Sequence, residues 1–597
     1  MNTATDIDAA TIEVIRNYLT SAATEMQRTL VRTAYNTIVY EILDFGISIY
    51  DRDLNLIADS PGLALFLGAN DYGIEKAVEY VGEENFEPGD VLIMNYPYWS
   101  GTHTLDVLLF APVFYDDELI GYTTCRAHWL DLGAKDSGYV LDSEDIHQEG
   151  IIFPGTKVYK GGQPDEEILD IIRFNSRIPD KVIGDLNAQI AAVRTGKERL
   201  CELYDKYGSA TIETAIDRIL DHGERTARKA VADLPDGRWS ATGYADGTAP
   251  DRKEPIKLHA TVEIDGEDFT VDFTGSSGTV DEPLNIPPGM TESVAKLCFK
   301  TVTTPGEDSN AGQYEPISVV MDEDNIFNAS YPVPTFTIWT AIIAIDVVYE
   351  ALSKALPEAV PAASGGDICD IMLFGEDPET GRQFVEANNE GVGRGASADH
   401  DGGNALMHIS QSMVQNIPVE VFENKAPIRF NQLSVREDSA GPGEYRGGFG
   451  IRRDYEITEP VGALSIIQKT RTDNWGLQGG KPGAKNVVVL DPNTDDESWK
   501  ERIDILVDND DLYTDIGSEK YAGMFRGTFM PGEIISNRTG GGGGYGDPYD
   551  RSPEQVCDDV VDGYVSQEAA REAYGVEITD DNEIDWETTE SLRSQHN

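Results

Sequence analysis

Basic residues are scarce in this chain: 47 Lys and Arg stand against 106 Asp and Glu, a formal net charge of −59. Phosphate backbones are bound chiefly by cationic side chains, so this balance argues against a DNA- or RNA-binding surface and against adsorption on an acidic membrane. Cysteine is nearly as rare. Cys125, Cys201, Cys298, Cys369 and Cys557 are too few and too scattered for a disulfide framework or a zinc ribbon, and they fit free thiols in a cytosolic protein. Long apolar runs are missing too. The strongest, Phe336 to Val348, is short and holds Asp346, and the N-terminus lacks the basic and apolar blocks of a secretory signal, so no membrane span is expected. What is present, 40% hydrophobic residues with many aromatic-rich segments, excludes a wholly disordered acidic chain. The carboxylates are spread along the length as a solvated coat whose self-repulsion salt would screen. The expectation is a folded protein of a salt-rich cytoplasm.

A chain of 597 residues predicts several domains, and the patterning predicts a mixed α/β, multidomain fold. An apolar stripe of Ile12, Val14, Ile15, Leu19, Ala22, Met26 and Leu30 predicts a helix over about 8–36, and Asp51 to Asn55 supply the turn of a hairpin. Helical patterns return at 187–204 and 209–231. Residues 1–235 thus read as an N-terminal helical and α/β region that bears the site. A small β-rich module follows at 236–290, a second α/β region at 291–430, an antiparallel β-rich region at 431–530, and a glycine-rich loop, helix and acidic tail at 531–597.

With only eight histidines in the chain, two stand beside buried-looking strands. Asn95 to Asp106 is a turn-rich approach ending in His103-Thr-Leu-Asp106, followed by the run Val107 to Pro112. Ile120 to Gly133 reads as a strand ending in His128 and followed by Asp131. Two imidazoles and a carboxylate are a donor set for Mn(II), Fe(II), Co(II) or Zn(II) that leaves positions open for water or substrate. His103, Asp106 and His128 are therefore the candidate metal ligands, with one divalent ion expected, Mn or Zn favoured and Fe possible. Asp131, His147 and Glu149 are alternative ligands or supporting groups, Asp131 being the first choice to orient a histidine. Polar groups merely satisfied within an acidic protein are the competing reading. On this reading a hairpin turning at Tyr115-Asp116-Asp117 leaves the histidine-bearing ends a strand's length apart, whereas a crossed or separately paired arrangement would join them.

Two further stretches invite chemistry. Gly391 to Gly403 contains Asp399, His400 and Asp401 among glycines, the composition of a substrate-facing loop or of a plain structural turn. Gly540 to Gly544 resembles a phosphate loop in its glycines alone. It lacks the Lys-Ser/Thr ending and the following helix, so nucleotide binding by this chain is not expected; a flexible glycine wall open to substrate or partner is the reading left.

The motifs Gly101-Thr-His-Thr-Leu-Asp106, Arg126-Ala-His-Trp-Leu-Asp-Leu-Gly133, Gln148 to Gly155, Asp399 to Gly403, Arg446-Gly-Gly-Phe-Gly450 and Gly540 to Pro548 together resemble the hydantoinase B/5-oxoprolinase family. That family includes the metal-bearing large subunits of acetone and related ketone carboxylases, and the resemblance runs over almost the whole chain. It implies that His103, Asp106 and His128 are metal ligands of the carboxylase-branch type. It also implies a separate A-type subunit that uses ATP and a hetero-oligomer; the local chemistry makes Asp131, Glu149, Asp399, His400 and Asp401 the candidate catalytic residues. The implied function is a metal-dependent B-type subunit that opens a small cyclic amide after activation by the A-type partner. Arg126-Ala-His-Trp-Leu-Asp131 stands where hydantoinase relatives often have Gly-His-His-Ala-Asp, which keeps ketone carboxylation as an alternative. A non-catalytic, metal-stabilised assembly subunit is the third reading.

Overall fold

The computed structural model describes residues 7–596 apart from 102, 250, 251, 253, 378, 379, 412, 495, 496 and 514–518, with only the backbone of Leu67. Thr102 of the first motif therefore lies outside the described residues. The chain divides into two compact units, where the sequence predicted five consecutive segments. The first comprises residues 1–238, 260–341 and 409–415, and the second 239–259, 342–408 and 416–597. Each unit is assembled from segments distant in sequence.

In the first unit, helix α1 (Ala9–Thr33) starts at Asp8, whose carboxylate accepts the Thr11 amide, and it buries Ile15, Leu19, Ala22, Met26 and Leu30 of the predicted stripe but leaves Ile12 half-buried and Val14 exposed. Strands β1 (Phe45–Asp51) and β2 (Leu56–Ser60) form the expected hairpin. They are followed by α2 (Ala64–Val81), β3 (Val91–Met94) and a single turn, α3 (Pro97–Ser100). Next come β4 (Asp106–Tyr115), β5 (Glu118–His128), β6 (Pro154–Lys160) and β7 (Gln163–Pro164). Helices α4 (Glu166–Phe174), α5 (Pro179–Tyr207) and α6 (Ser209–Ala232) close this part. The seven strands make one antiparallel sheet in the order β2-β1-β5-β4-β3-β6-β7.

Both faces of this sheet are covered, so its central strands are buried almost throughout, the polar Asp106, Thr123, Thr124, Arg126 and His128 included. Successive side chains alternate between faces. Thr123 gives its hydroxyl to Val193 of α5, and Gln189 of α5 donates to the carbonyls of Val107 and Cys125. Arg126 turns the other way and donates through Nε to Asn70 of α2 at 2.7 Å. Asp106 and His128 share that α2-facing side with Leu108, Phe110 and Tyr122 of a buried core cluster. No helix among the described residues is long and apolar enough to cross a membrane.

The second unit is built on a nine-stranded antiparallel sheet. It runs Gln383–Asn388, Ile371–Glu376, Val461–Ile466, Lys520–Phe529, Val487–Asp491, Ile534–Arg538, Ile451–Ile457 and Ile428–Val435, with Ile503–Asp508 also paired to Lys520–Phe529. Beside it Gly540 to Gly544 is threaded through the middle of other glycine-rich segments and is fully buried. Its amides donate in turn to Ala484, Gly448, Ala363 and Lys481, while its carbonyls accept from Gly393, Gly441, Ala396 and Leu477. Backbone therefore packs on backbone from several directions: a Cβ on Gly541 would lie 1.7 Å from the Ser439 carbonyl oxygen, and one on Gly542 2.0 Å from that of Arg394. The expectation of a flexible glycine wall is corrected. The glycines are required because nothing larger than hydrogen fits between the crossing chains.

Candidate metal centre

The β4–β5 hairpin corrects the expectation about the strand ends. Asp116 and Asp117 both have positive φ, 48° and 64°, the backbone of a tight two-residue turn whose twist matches that of its strands. A hairpin so closed sets the first residue of one strand opposite the last of the other. Asp106 accordingly pairs in register with His128. His103 enters from the preceding turn, which Asn95 braces by donating to the carbonyls of Thr104 and Ile151, at 2.7 and 2.9 Å, and accepting from Phe153.

The three side chains converge. His103 Nδ1 lies 3.4 Å from Asp106 Oδ2 and His128 Nδ1 lies 3.3 Å from Asp106 Oδ1, with the imidazole rings nearly perpendicular at a centroid distance of 4.8 Å. One ligand atom from each can be chosen so that all lie within 4.8 Å of one another. All three residues are buried, yet His103 Nδ1, Asp106 Oδ2 and His128 Nε2 have no hydrogen-bond partner. Buried polar atoms without partners are costly, and nitrogen and carboxylate donors left free together fit a borderline divalent cation. Tyr139 and Phe336 wall the rings, 6.2 and 5.4 Å from His103, and Trp339 packs behind Tyr139.

Burial dominates the electrostatics. It lowers His103 to about 4 against the pull of Asp106, so that imidazole is neutral. His128 meets the same burial, but Asp106 and the nearby Asp44 outweigh it and its pKa is raised. Asp44 is itself pushed up to about 7 by burial. Arg126, also buried and lowered to about 10, adds positive charge near Asp106. Its Nη1 would stand 2.5 Å from a Cβ on Gly101, which explains the glycine at the head of the motif.

Asp44, Arg126, Tyr139 and Phe336 were not among the site residues expected from the sequence. Arg126 lies two residues before His128 and shares its face by strand alternation; that signal was available. Asp44 follows a single π-helical turn at Ile38–Ile42 and a left-handed Leu43, an irregularity without a simple pattern.

The other expected residues have separate settings. Asp131 accepts from the Arg177 amide, Arg177 Nη1 at 2.7 Å, Gly133 N at 3.2 Å and Ser176 Oγ at 3.3 Å, so its carboxylate is turned to that loop rather than to either histidine. Glu149 is buried and raised to about 8 by burial, accepting from Ser143 Oγ at 2.8 Å and Thr335 N at 3.0 Å. The residue after Thr335 is Phe336 of the aromatic wall, and Thr104 donates to the Glu149 carbonyl. His147 reaches the Tyr331 hydroxyl at 3.1 Å. In the second unit Asp399 and His400 form an exposed pair at 2.6 Å. Asp401 is held by Arg551 at 2.7 Å and by the Arg446 amide at 2.9 Å, and the same two arginines hold Asp559. The Gly391–Gly403 segment is thus a packed turn with one exposed tip.

The family model for hydantoinase B/oxoprolinase matches residues 8–548. The chain belongs to this family. Among its relatives, an uncharacterized protein of Methanocaldococcus jannaschii is 32% identical over 98% of this chain and 100% of its own length. The caprolactamase subunit beta of Pseudomonas jessenii is 30% identical over 100% of both chains. 5-Oxoprolinase 1 of Arabidopsis thaliana is 26% identical over 90% of this chain and 42% of its own length. The crystal structure of the ATP-dependent caprolactamase of P. jessenii superposes with a TM-score of 0.87 at 27% identity, covering 99% of this chain and 100% of that one. A nucleotide-free acetone carboxylase structure also gives a TM-score of 0.87, at 20% identity over 98% and 83%, a likeness of fold.

Proposed function

We propose that this chain is the metal-dependent B-type subunit of an ATP-dependent enzyme that opens a cyclic amide. The observation that carries the reading is the buried His103–Asp106–His128 set with three partnerless donor atoms, in a chain similar from end to end to a caprolactamase beta subunit. A divalent ion held there, with Mn or Zn favoured and Fe possible, would supply Lewis acidity and lower the pKa of a bound water.

The chain's own residues do the rest. Tyr139 and Phe336, with Trp339 packed behind Tyr139, shield the histidine edge and would give the methylenes of a lactam an apolar wall. Glu149 keeps its proton up to about 8 because it is buried. It is the residue we assign as the acid that returns a proton to the departing amide nitrogen. Asp44, itself raised by burial, favours the charged form of His128 when it is ionised. The buried glycine bundle supports assigning ATP use to an A-type partner, because its amides are already bonded. The acidic composition supports a salt-rich cytoplasm as the working environment.

The test is reconstitution. Purified chain and A-type partner are mixed with ATP and either a panel of lactams, hydantoins and 5-oxoproline or a ketone with bicarbonate, and products are identified by mass. Ring-opened product that requires both proteins, ATP and His128 carries the proposal. Carboxylated ketone from the second mixture would replace it with the carboxylase reading.

A further inference from the structure

One face of the nine-stranded sheet gathers three guanidinium groups around a cavity. Side chains in register across neighbouring strands form one row, Ser434, Arg452, Arg538 and Val487, and a second, Gln432, Asp454, Ser536, Val489 and Tyr521. Arg452 and Arg538 therefore stand directly opposite one another on adjacent strands, a like-charge pairing that is ordinarily destabilising. Arg436, which follows the strand Ile428–Val435, joins them. Its Nη1 is pinned by the carbonyls of Lys485, Arg538 and Thr539 at 2.7, 3.1 and 2.9 Å. Burial works against its charge, as does Arg538, and lowers its pKa.

Carboxylates meet this cluster only in part. Asp454 pairs with Arg452 at 2.7 Å and Glu519 with Arg538 at 3.3 Å. Among the described residues no ion pair engages Arg436, although the chain has 106 acidic residues to offer. The other half of the same face is apolar and aromatic. Val487, Val489 and Tyr521 cluster with Tyr513, and the two tyrosine rings stack at 4.0 Å with 15° between their planes. The three arginines, both tyrosines, Gln432 and Ser434 all line one cavity of about 540 Å³, within the size range of small-molecule sites.

A ligand for such a surface needs an anionic end that takes forked donors and a flat apolar end. Guanidinium groups grip phosphate oxygens bidentately, and tyrosine faces stack on a planar base. We propose that this cavity binds a nucleoside phosphate, its phosphate among Arg436, Arg452 and Arg538 and its base against the Tyr513–Tyr521 stack. Gln432 and Ser434, bonded to one another at 2.8 Å, border the ribose. This is an effector site, remote in sequence from the histidines, and it stands whichever reaction the metal centre carries out. An enzyme driven by nucleotide hydrolysis would through it sense the supply of its own fuel.

The experiment is calorimetric titration of the full chain with ATP, ADP, AMP, adenosine and inorganic phosphate at fixed ionic strength. At least one of the three nucleotides is expected to bind more tightly than both adenosine and phosphate. The double variant Arg452→Gln/Arg538→Gln should weaken it roughly 10–100-fold, the scale of one or two charge-assisted hydrogen bonds. Tyr513→Ala should weaken the nucleotide and leave inorganic phosphate unaffected. Circular dichroism and metal content serve as folding controls, since neither arginine of the double variant bonds to a backbone carbonyl through its side chain. No binding by any nucleotide, or equal binding by a folded double variant, overturns the proposal. So does adenosine binding as tightly as the nucleotides.

Discussion

His103 and His128 lean on one carboxylate yet are driven in opposite directions, His103 toward neutrality by burial and His128 toward charge by Asp106 and Asp44. A cation needs both imidazoles neutral, so its uptake displaces a proton from His128 and should strengthen as pH rises through the range where that ring titrates. Element analysis of His103→Ala, His128→Ala and the double variant should find bound metal and activity largely lost, with circular dichroism unchanged; full occupancy in the folded double variant would reassign the site. Asp185 offers a cleaner pH effect. Burial raises it to about 6, while one oxygen accepts both the Tyr35 and Asn36 amides, so Asp185→Asn keeps those bonds and removes only the charge. Its folded pKa lies above the unfolded value of about 4, so its stabilising contribution is full below pH ~4 and is lost as pH rises through about 6. The variant should therefore gain on the parent by roughly 1–3 kcal/mol at pH 8 and not at pH 4, read from denaturant unfolding. At this scale the donor set was legible because few residue types hold metals. Asp44 was not, since nothing in a string of letters reports which carboxylate a π-turn delivers to a neighbouring ring.

Helices and strands with a clean period were the easiest elements to read: α1 falls within its predicted range, and α5 and α6 cover the predicted stretches. The hairpin β4–β5 was read correctly as two strands and wrongly as a spacing, because register follows from the two-residue turn rather than from strand length. The glycine bundle escaped for a different reason. Its packing rule is the lack of side chains, which has no hydrophobic period to detect. Gly541→Ala must drive a methyl into the Ser439 carbonyl, and we expect a loss above about 4 kcal/mol or failure of the second unit to fold, seen in soluble yield and melting. Gly306→Ala, whose added methyl would meet nothing within 4 Å, should stay within about 0.5 kcal/mol of the parent.

Over the whole molecule the net charge of −59 acts as a distributed pressure against compactness. Raising ionic strength from about 0.1 to 1 M shortens the screening length from roughly 10 to 3 Å, so the melting temperature should climb with KCl; a flat profile would mean that the local ion pairs already neutralise the coat. Composition made this legible at once, while the two-unit division was hidden, since each unit borrows segments from far along the chain. The β4–β5 hairpin carries one more consequence, in time rather than in space. His103, Asp106 and His128 belong to a single local stretch of chain, whereas Phe336 of the wall arrives some two hundred residues later. During synthesis the donors can meet early, before the aromatic side closes. An ion captured then is sealed in, and a chelator should strip the finished protein at the rate at which that wall opens.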